Sequence, residues 1–157
     1  MSWILEEKMK EKNKFRYAEK CLYEYKRNIA ALDILREDLR VLKAGTDVHI
    51  QNYQFSFGFS GEPSNPVEAR LVKIENIENK IRMLERYTKP ITKMINDLDA
   101  PENLEGSDNK VLMNIVKLMY FGKNKPYVIR DELNICKRTF SLKRRELIDM
   151  VKGYLAL

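Results

Sequence analysis

Between Lys10 and Leu42 apolar side chains recur at alternating three- and four-residue steps: Phe15, Ala18, Leu22, Tyr25, Ile29, Leu32 and Leu39, with Arg36 the single interruption. That spacing is the heptad seam of a long helix. Ala44-Gly45 then predicts its end, because glycine accepts the left-handed conformation that closes a helix. A second seam runs through Ile74, Ile77, Ile81, Leu84, Ile91, Ile95 and Leu98, with Thr88 as its polar member. Glu78 and Arg82 stand four residues apart on the exposed face of that helix, a pairing that contributes only about 0.2 to 0.5 kcal/mol. Pro90 lacks a backbone donor and crowds the preceding turn, so the helix is expected to kink or restart near Thr88. The two seams fit equally an intramolecular hairpin and a coiled coil that makes a homodimer.

The stretch from Thr46 to Pro66 is too long for a tight hairpin connection. Val48, Ile50, Tyr53, Phe55, Phe57 and Phe59 partly alternate and read as a short strand or extended arm, followed by a loop rich in Gly, Pro, Ser and Asn. No Lys or Arg accompanies these rings between Lys43 and Arg70. Packing against the helices or a second subunit is therefore favoured over stacking on nucleic-acid bases, which needs positive charge as well.

A turn-rich acidic break from Asp99 to Asp108 marks the expected domain boundary. The fold class that results is all-α, with a long N-terminal helical hairpin or coiled coil in residues 1–99 (extended loop 44–66) and a C-terminal helix-turn-helix domain in residues 108–157. Charge divides along similar lines. Residues 1–45 carry +3, residues 46–109 carry −4 and residues 110–157 carry +7. Positive charge concentrated at one end favours a polyanionic partner through counterion release. A membrane surface would satisfy the same charge, so the residue pattern has to decide.

Val111, Leu112, Ile115, Leu118, Met119 and Phe121 predict a helix of about three turns, closed by Gly122 to Lys125. Pro126 suits the first turn of a short helix over Tyr127 to Leu133, with Val128, Ile129 and Leu133 buried. Asn134-Ile135-Cys136 makes a turn in which asparagine tolerates the left-handed conformation and Ile135 plugs the angle between helices. From Lys137 onward Phe140, Arg144, Leu147, Val151 and Tyr154 define an inner stripe, with the Arg144 stem laid over the core and its charge outside. Arg138, Ser141, Leu142, Arg145 and Asp149 fall away from it, with Lys137 and Lys143 on the flanks. Guanidinium groups on the first turns of such a helix pair with guanine or clamp phosphates, while small or apolar residues allow close approach to base edges. The candidate contacts to double-stranded DNA are Lys137, Arg138, Thr139, Ser141, Leu142, Lys143, Arg144 and Arg145. A solvated basic surface is the plain alternative, and the short helix, the Asn134-Ile135 turn and Phe140 together weigh against it.

The string Glu132-Leu133-Asn134-Ile135-Cys136-Lys137-Arg138-Thr139-Phe140, followed by Lys143-Arg144-Arg145-Glu146-Leu147-Ile148, resembles the end of the ArpU/RinA-type phage transcriptional regulators, whose terminal module is similar to region 4 of sigma factors. Gly61 to Val67, leading into a charged helix, echoes their architecture. The resemblance runs loosely over Tyr23 to Leu157 and is specific in the last third. It implies activation of late phage operons, including packaging and structural genes, with host RNA polymerase as a partner. The sequence departs from the pattern at Arg130, where a small residue is usual, and at Cys136, where serine or threonine normally caps the recognition helix. The alternative expectation is the DNA-recognition small subunit of a phage terminase, which also joins a helix-turn-helix to oligomerising helices. A helical scaffold without a nucleic-acid partner is the third.

An enzyme is not expected. The chain has no phosphate-binding Gly-x-x-x-x-Gly-Lys-Ser/Thr loop, no Gly-x-Ser-x-Gly elbow and one histidine, His49. Cys21 and Cys136 with that histidine cannot form a zinc site of usual spacing, and reduced, buried thiols are expected. Asp97 and Asp99 read as solvated carboxylates in preference to a divalent-ion site, so neither cofactor nor metal is expected. The apolar runs fall far short of the ~20 residues that cross a bilayer, and the amino end mixes charges, so the expected location is the cytoplasm, with no membrane partner.

Overall fold

Heptad spacing, helix-closing residues and a short proline-led segment give a chain of helices joined by breaks. The computed structural model describes residues 2–45, 66–100 and 107–157 and contains no strand among them. The elements are α1 (Ser2–Ala44), α2 (Pro66–Asp99), α3 (Ser107–Ile115) continued by a π-helical turn (Val116–Phe121), α4 (Pro126–Leu133) and α5 (Lys137–Tyr154). The fold is all-α, as the sequence leads one to expect. The aromatic run from Tyr53 to Phe59, its expected strand or arm, and His49 lie outside the described residues.

Gly45 closes α1 with φ +83°, in the left-handed region that glycine enters without a steric penalty. The Leu42 carbonyl accepts the Gly45 N–H at 3.3 Å and also the Arg70 guanidinium, from Nε at 2.9 Å. Pro90 neither stops nor restarts α2, which is one helix from Pro66 to Asp99. The expected break is absent because tertiary packing holds both sides of it: Thr88 and Ile91 are buried. The Thr92 hydroxyl adds a local bond to the Thr88 carbonyl at 2.9 Å.

Packing divides the chain into two units, residues 28–86 and residues 1–27 with 87–157. This differs from the expected division into 1–99 and 108–157. In the first unit α1 and α2 run antiparallel, as the pairs Arg36–Glu85 (3.0 Å) and Lys43–Glu78 (2.8 Å) show. Arg36 interrupts the apolar seam because it crosses to Glu85. Glu78 likewise pairs across the hairpin, while Arg82 donates to Asn79 at 2.7 Å in place of the expected i,i+4 bond. Leu32 and Ile77 are the buried apolar side chains of this unit among the described residues.

The second unit has one apolar core drawn from every helix. Ala18, Cys21 and Leu22 of α1 and Ile91, Met94 and Leu98 of α2 join Leu112 and Ile115 of α3, Val116 and Tyr120 of the π turn, Ile129 of α4, and Phe140, Leu147, Ile148 and Val151 of α5. Aromatic contacts reinforce it: Tyr25 stacks on Phe121 with centroids 5.7 Å apart, and Tyr25 also bonds Thr92 at 2.8 Å. The acidic break after Asp99 separates helices in sequence, while the core of this unit draws on helices from both sides of it. Leu22→Ala should therefore lower the stability of the whole unit by about 2 to 5 kcal/mol. Urea unfolding followed through α5 amides should show the loss in α5 as much as in α1; unchanged α5 stability would mean that the C-terminal helices form an independent domain.

Candidate nucleic-acid interface

The helix-turn-helix segment is built by local rules. Lys125 sits in extended conformation before α4, and Pro126 occupies the first turn, where a missing donor costs nothing. Asn134 adopts φ 52°, ψ 47°, the left-handed conformation. The N–H of Ile135 donates to the Arg130 carbonyl at 3.0 Å and that of Asn134 to the Asp131 carbonyl at 3.3 Å, the paired bonds of a Schellman closure. Arg130 is thus compatible with the turn through its backbone. Ile135 packs against the core between the helices.

Cys136 takes the cap position of α5. Its Sγ accepts the Thr139 N–H at 3.5 Å and lies 3.1 Å from the Thr139 hydroxyl. The sulfur replaces the usual oxygen as acceptor, and the Thr139 hydroxyl and N–H together lower the thiol pKa below its ordinary value. Cys136 is exposed, contrary to the expectation of a buried thiol, because a cap lies at the solvent-facing end of a helix; Cys21 is buried, and both are free. Cys136→Ser, which supplies a harder acceptor to the same N–H, should raise the melting temperature by about 2 to 4 °C, and a scanning calorimetry trace without an increase would show that sulfur caps this helix as well as oxygen does.

Phe140, Leu147, Ile148 and Val151 bury one side of α5. On the other side Lys137, Arg138, Ser141, Leu142 and Arg145 are exposed, and Leu142 retains 57% of its surface. Four of these belong to the expected outward face and Lys137 to its flank; Asp149, the fifth expected member, is also exposed and pairs with Lys152 at 3.1 Å. Lys137, Arg138 and Arg145 form no ion pair with another described residue.

Three other expected contacts are engaged within the protein. Thr139 is half-buried and serves the cap. Lys143 is held between Asp108 at 3.2 Å and Glu146 at 2.9 Å, with 18% of its side chain exposed. The Glu146 hydrogen bond leads the causes that raise its pKa, so it stays cationic but is already neutralised. Arg144 turns inward to Glu19 on α1, Nε at 2.8 Å and Nη2 at 2.6 Å from the same carboxylate oxygen, with its guanidinium over the Phe15 ring. Burial opposes its charge, yet the bonds and charge of Glu19 outweigh that and raise its pKa. Its place on the inner stripe, which sequence spacing indicates, wins over its charge because an acidic partner waits there. Glu19, Asp108 and Tyr120, which complete these contacts, were not among the expected site residues.

Asp97 accepts the Tyr154 hydroxyl at 2.5 Å and Asp99 lies 3.9 Å from Lys117. Among the described residues no cluster of His, Cys, Asp and Glu could hold a metal ion, and no described helix is long and apolar enough to cross a membrane. No protein-family model, curated protein or solved structure matches the chain.

Proposed function

We propose that this chain binds duplex DNA by laying α5 in the major groove, and that it acts as a transcriptional activator of late phage genes together with host RNA polymerase. The observation that carries the DNA reading is the outward face of α5. Arg138 and Arg145 flank Ser141 and Leu142 on a helix whose opposite face is locked into the core. Two guanidiniums two helical turns apart, with a small and an apolar residue between them, suit base edges and thymine methyls, and Lys137 at the first turn suits a phosphate. The regulatory role rests on the resemblance of residues 132–148 to the ends of the ArpU/RinA-type regulators.

The hairpin of residues 28–86 is the part we assign to self-association as a homodimer. Ile34, Val67, Leu71 and Val72 each keep more than two fifths of their surface exposed there. Apolar side chains left open on a two-helix unit gain from a second copy that covers them. Light scattering on a sized column tests this; a strict monomer at micromolar concentration would remove the dimer.

Arg138→Ala or Arg145→Ala should cost roughly 1 to 3 kcal/mol of binding and relax preference at one base position, whereas Lys137→Ala should weaken all sequences alike and flatten the salt slope by about 1. Footprints and affinities unchanged in the Arg138→Ala, Arg145→Ala double variant would reject the assignment. Sequencing the genomic fragments retained by the protein tests the regulatory role: late promoters support it, and a packaging site would move the protein to the terminase small subunits.

A further inference from the structure

The outward face of α5 has a counterpart on α1. A single carboxylate oxygen of Glu19, Oε1, accepts hydrogen bonds from the Tyr120 hydroxyl at 3.0 Å and from Arg144 Nε and Nη2 at 2.8 and 2.6 Å. The Glu19 side chain keeps 14% of its surface exposed. Tyr120, on the π turn, is itself buried, and Tyr23 packs edge-on against it with centroids 4.6 Å apart. The Tyr120 hydroxyl, itself held by packing, thus fixes the acceptor independently of Arg144. Farther along, Lys152 pairs with Glu11 at 3.1 Å. Each helix advances eight residues between the two pairs, in opposite senses, so α1 and α5 meet at matched points about 12 Å apart.

This clamp acts on rotation about the α5 axis together with the core and with Lys143–Asp108, Lys152–Glu11 and Tyr154–Asp97. The hydrophobic drive that buries Phe140, Leu147 and Val151 is non-directional, and their packing alone tolerates small rotations better than a hydrogen bond does. A two-nitrogen bond from a planar guanidinium is directional and defines an azimuth. Arg145 follows Arg144 by one residue, about 100° around the helix. A rotation of roughly 20° would move a group at the helix surface by about 2 Å. That distance breaks a hydrogen bond to a base edge, while a phosphate contact made by a long side chain adjusts to it.

We propose that Glu19 is a positioning residue for sequence discrimination: by holding Arg144 against α1, it fixes the rotation of α5 and so the alignment of Arg138, Leu142 and Arg145 with base edges. The inference rests on the DNA-binding reading above and goes beyond it by assigning specificity to a residue that touches no DNA. Its sign separates it from simple electrostatics. Removing a negative charge from a DNA-binding protein should strengthen binding to every duplex. Loss of positioning should weaken binding to the preferred duplex alone.

The full-length chain and its Glu19→Gln variant, which keeps the size of the side chain and an accepting oxygen, are compared on two probes. One is a duplex selected from a randomised library by the unaltered protein; the other is a mixed-sequence duplex of equal length. Leu98→Ala, which opens the same core without touching the clamp, controls for stability, and Arg144→Lys, which keeps the charge but loses the fork, is the second variant. All are measured at a temperature where circular dichroism shows each fully folded. The expected result is a fall of about tenfold in the ratio of selected to mixed-sequence affinity for Glu19→Gln, a similar direction for Arg144→Lys, and an unchanged ratio for Leu98→Ala. A ratio unaltered in Glu19→Gln, both affinities rising together, or an equal fall in Leu98→Ala would overturn the positioning role while leaving DNA binding intact. An unaltered protein that binds neither duplex would instead refute the DNA reading, and one that binds both equally would refute the proposal alone.

Discussion

The outward face of α5 exists because its inward face is buried in one core shared by all the helices of its unit. Ala18, Cys21 and Leu22 join that core from α1 and Ile91, Met94 and Leu98 from α2. Burial of these side chains is the favourable term, at about 25 cal/mol per Å² of apolar surface removed from water. A helix of 18 residues draws most of its stability from tertiary packing of its amphipathic face. Amphipathic packing, not local propensity, holds α5 straight enough to offer a row of side chains to a partner.

The charges of α5 are partitioned by the same packing. Lys143, Arg144 and Lys152 lie on or beside the inner stripe, and each meets a carboxylate from another helix: Asp108, Glu19 and Glu11. A cation that loses water without an opposite charge is costly, so such positions are tenable only where the facing helix supplies an acid. Lys137, Arg138 and Arg145 lie outside the stripe and keep their water. The net positive charge of the C-terminal region therefore overstates what a polyanion meets, and geometry decides which cations are available.

Local features were legible because they are set by a few neighbouring residues. The proline-led start of α4, the left-handed Asn134, the cap at Cys136 and the buried Phe140 all depend on contacts within a turn or two. The heptad seams likewise indicated helices with Leu22, Leu32, Ile77 and Ile91 inside. What was not legible depends on pairs far apart in sequence, such as Glu19 with Arg144, 125 residues away. A signal was nevertheless present. Glu19 lies four residues after Phe15 and three before Leu22, flanking the seam, while Arg144 interrupts an apolar stripe. Opposite charges on two inner faces mark a complementary pair, but nothing local tells which helix faces which. The division by packing departs from the acidic break for a related reason, since an acidic, turn-rich stretch reports a break in the chain and says nothing of what packs across it.

The two units differ in what stabilises them, and the difference bears on what each can do. Residues 28–86 bury Leu32 and Ile77 among the described residues, and Arg36–Glu85 and Lys43–Glu78 are ion pairs with solvent-exposed cations. Pairs of that kind contribute at most about 1 kcal/mol each, because water screens them and long side chains must be ordered. The proposed self-association would act on this unit through its exposed Ile34, Val67, Leu71 and Val72. Residues 1–27 and 87–157 instead share a core from five helices, with directional bonds at Glu19, Glu11 and Asp97. A reading surface requires that rigidity, since base edges discriminate only against side chains held in place. An association surface does not, because apolar contact tolerates adjustment.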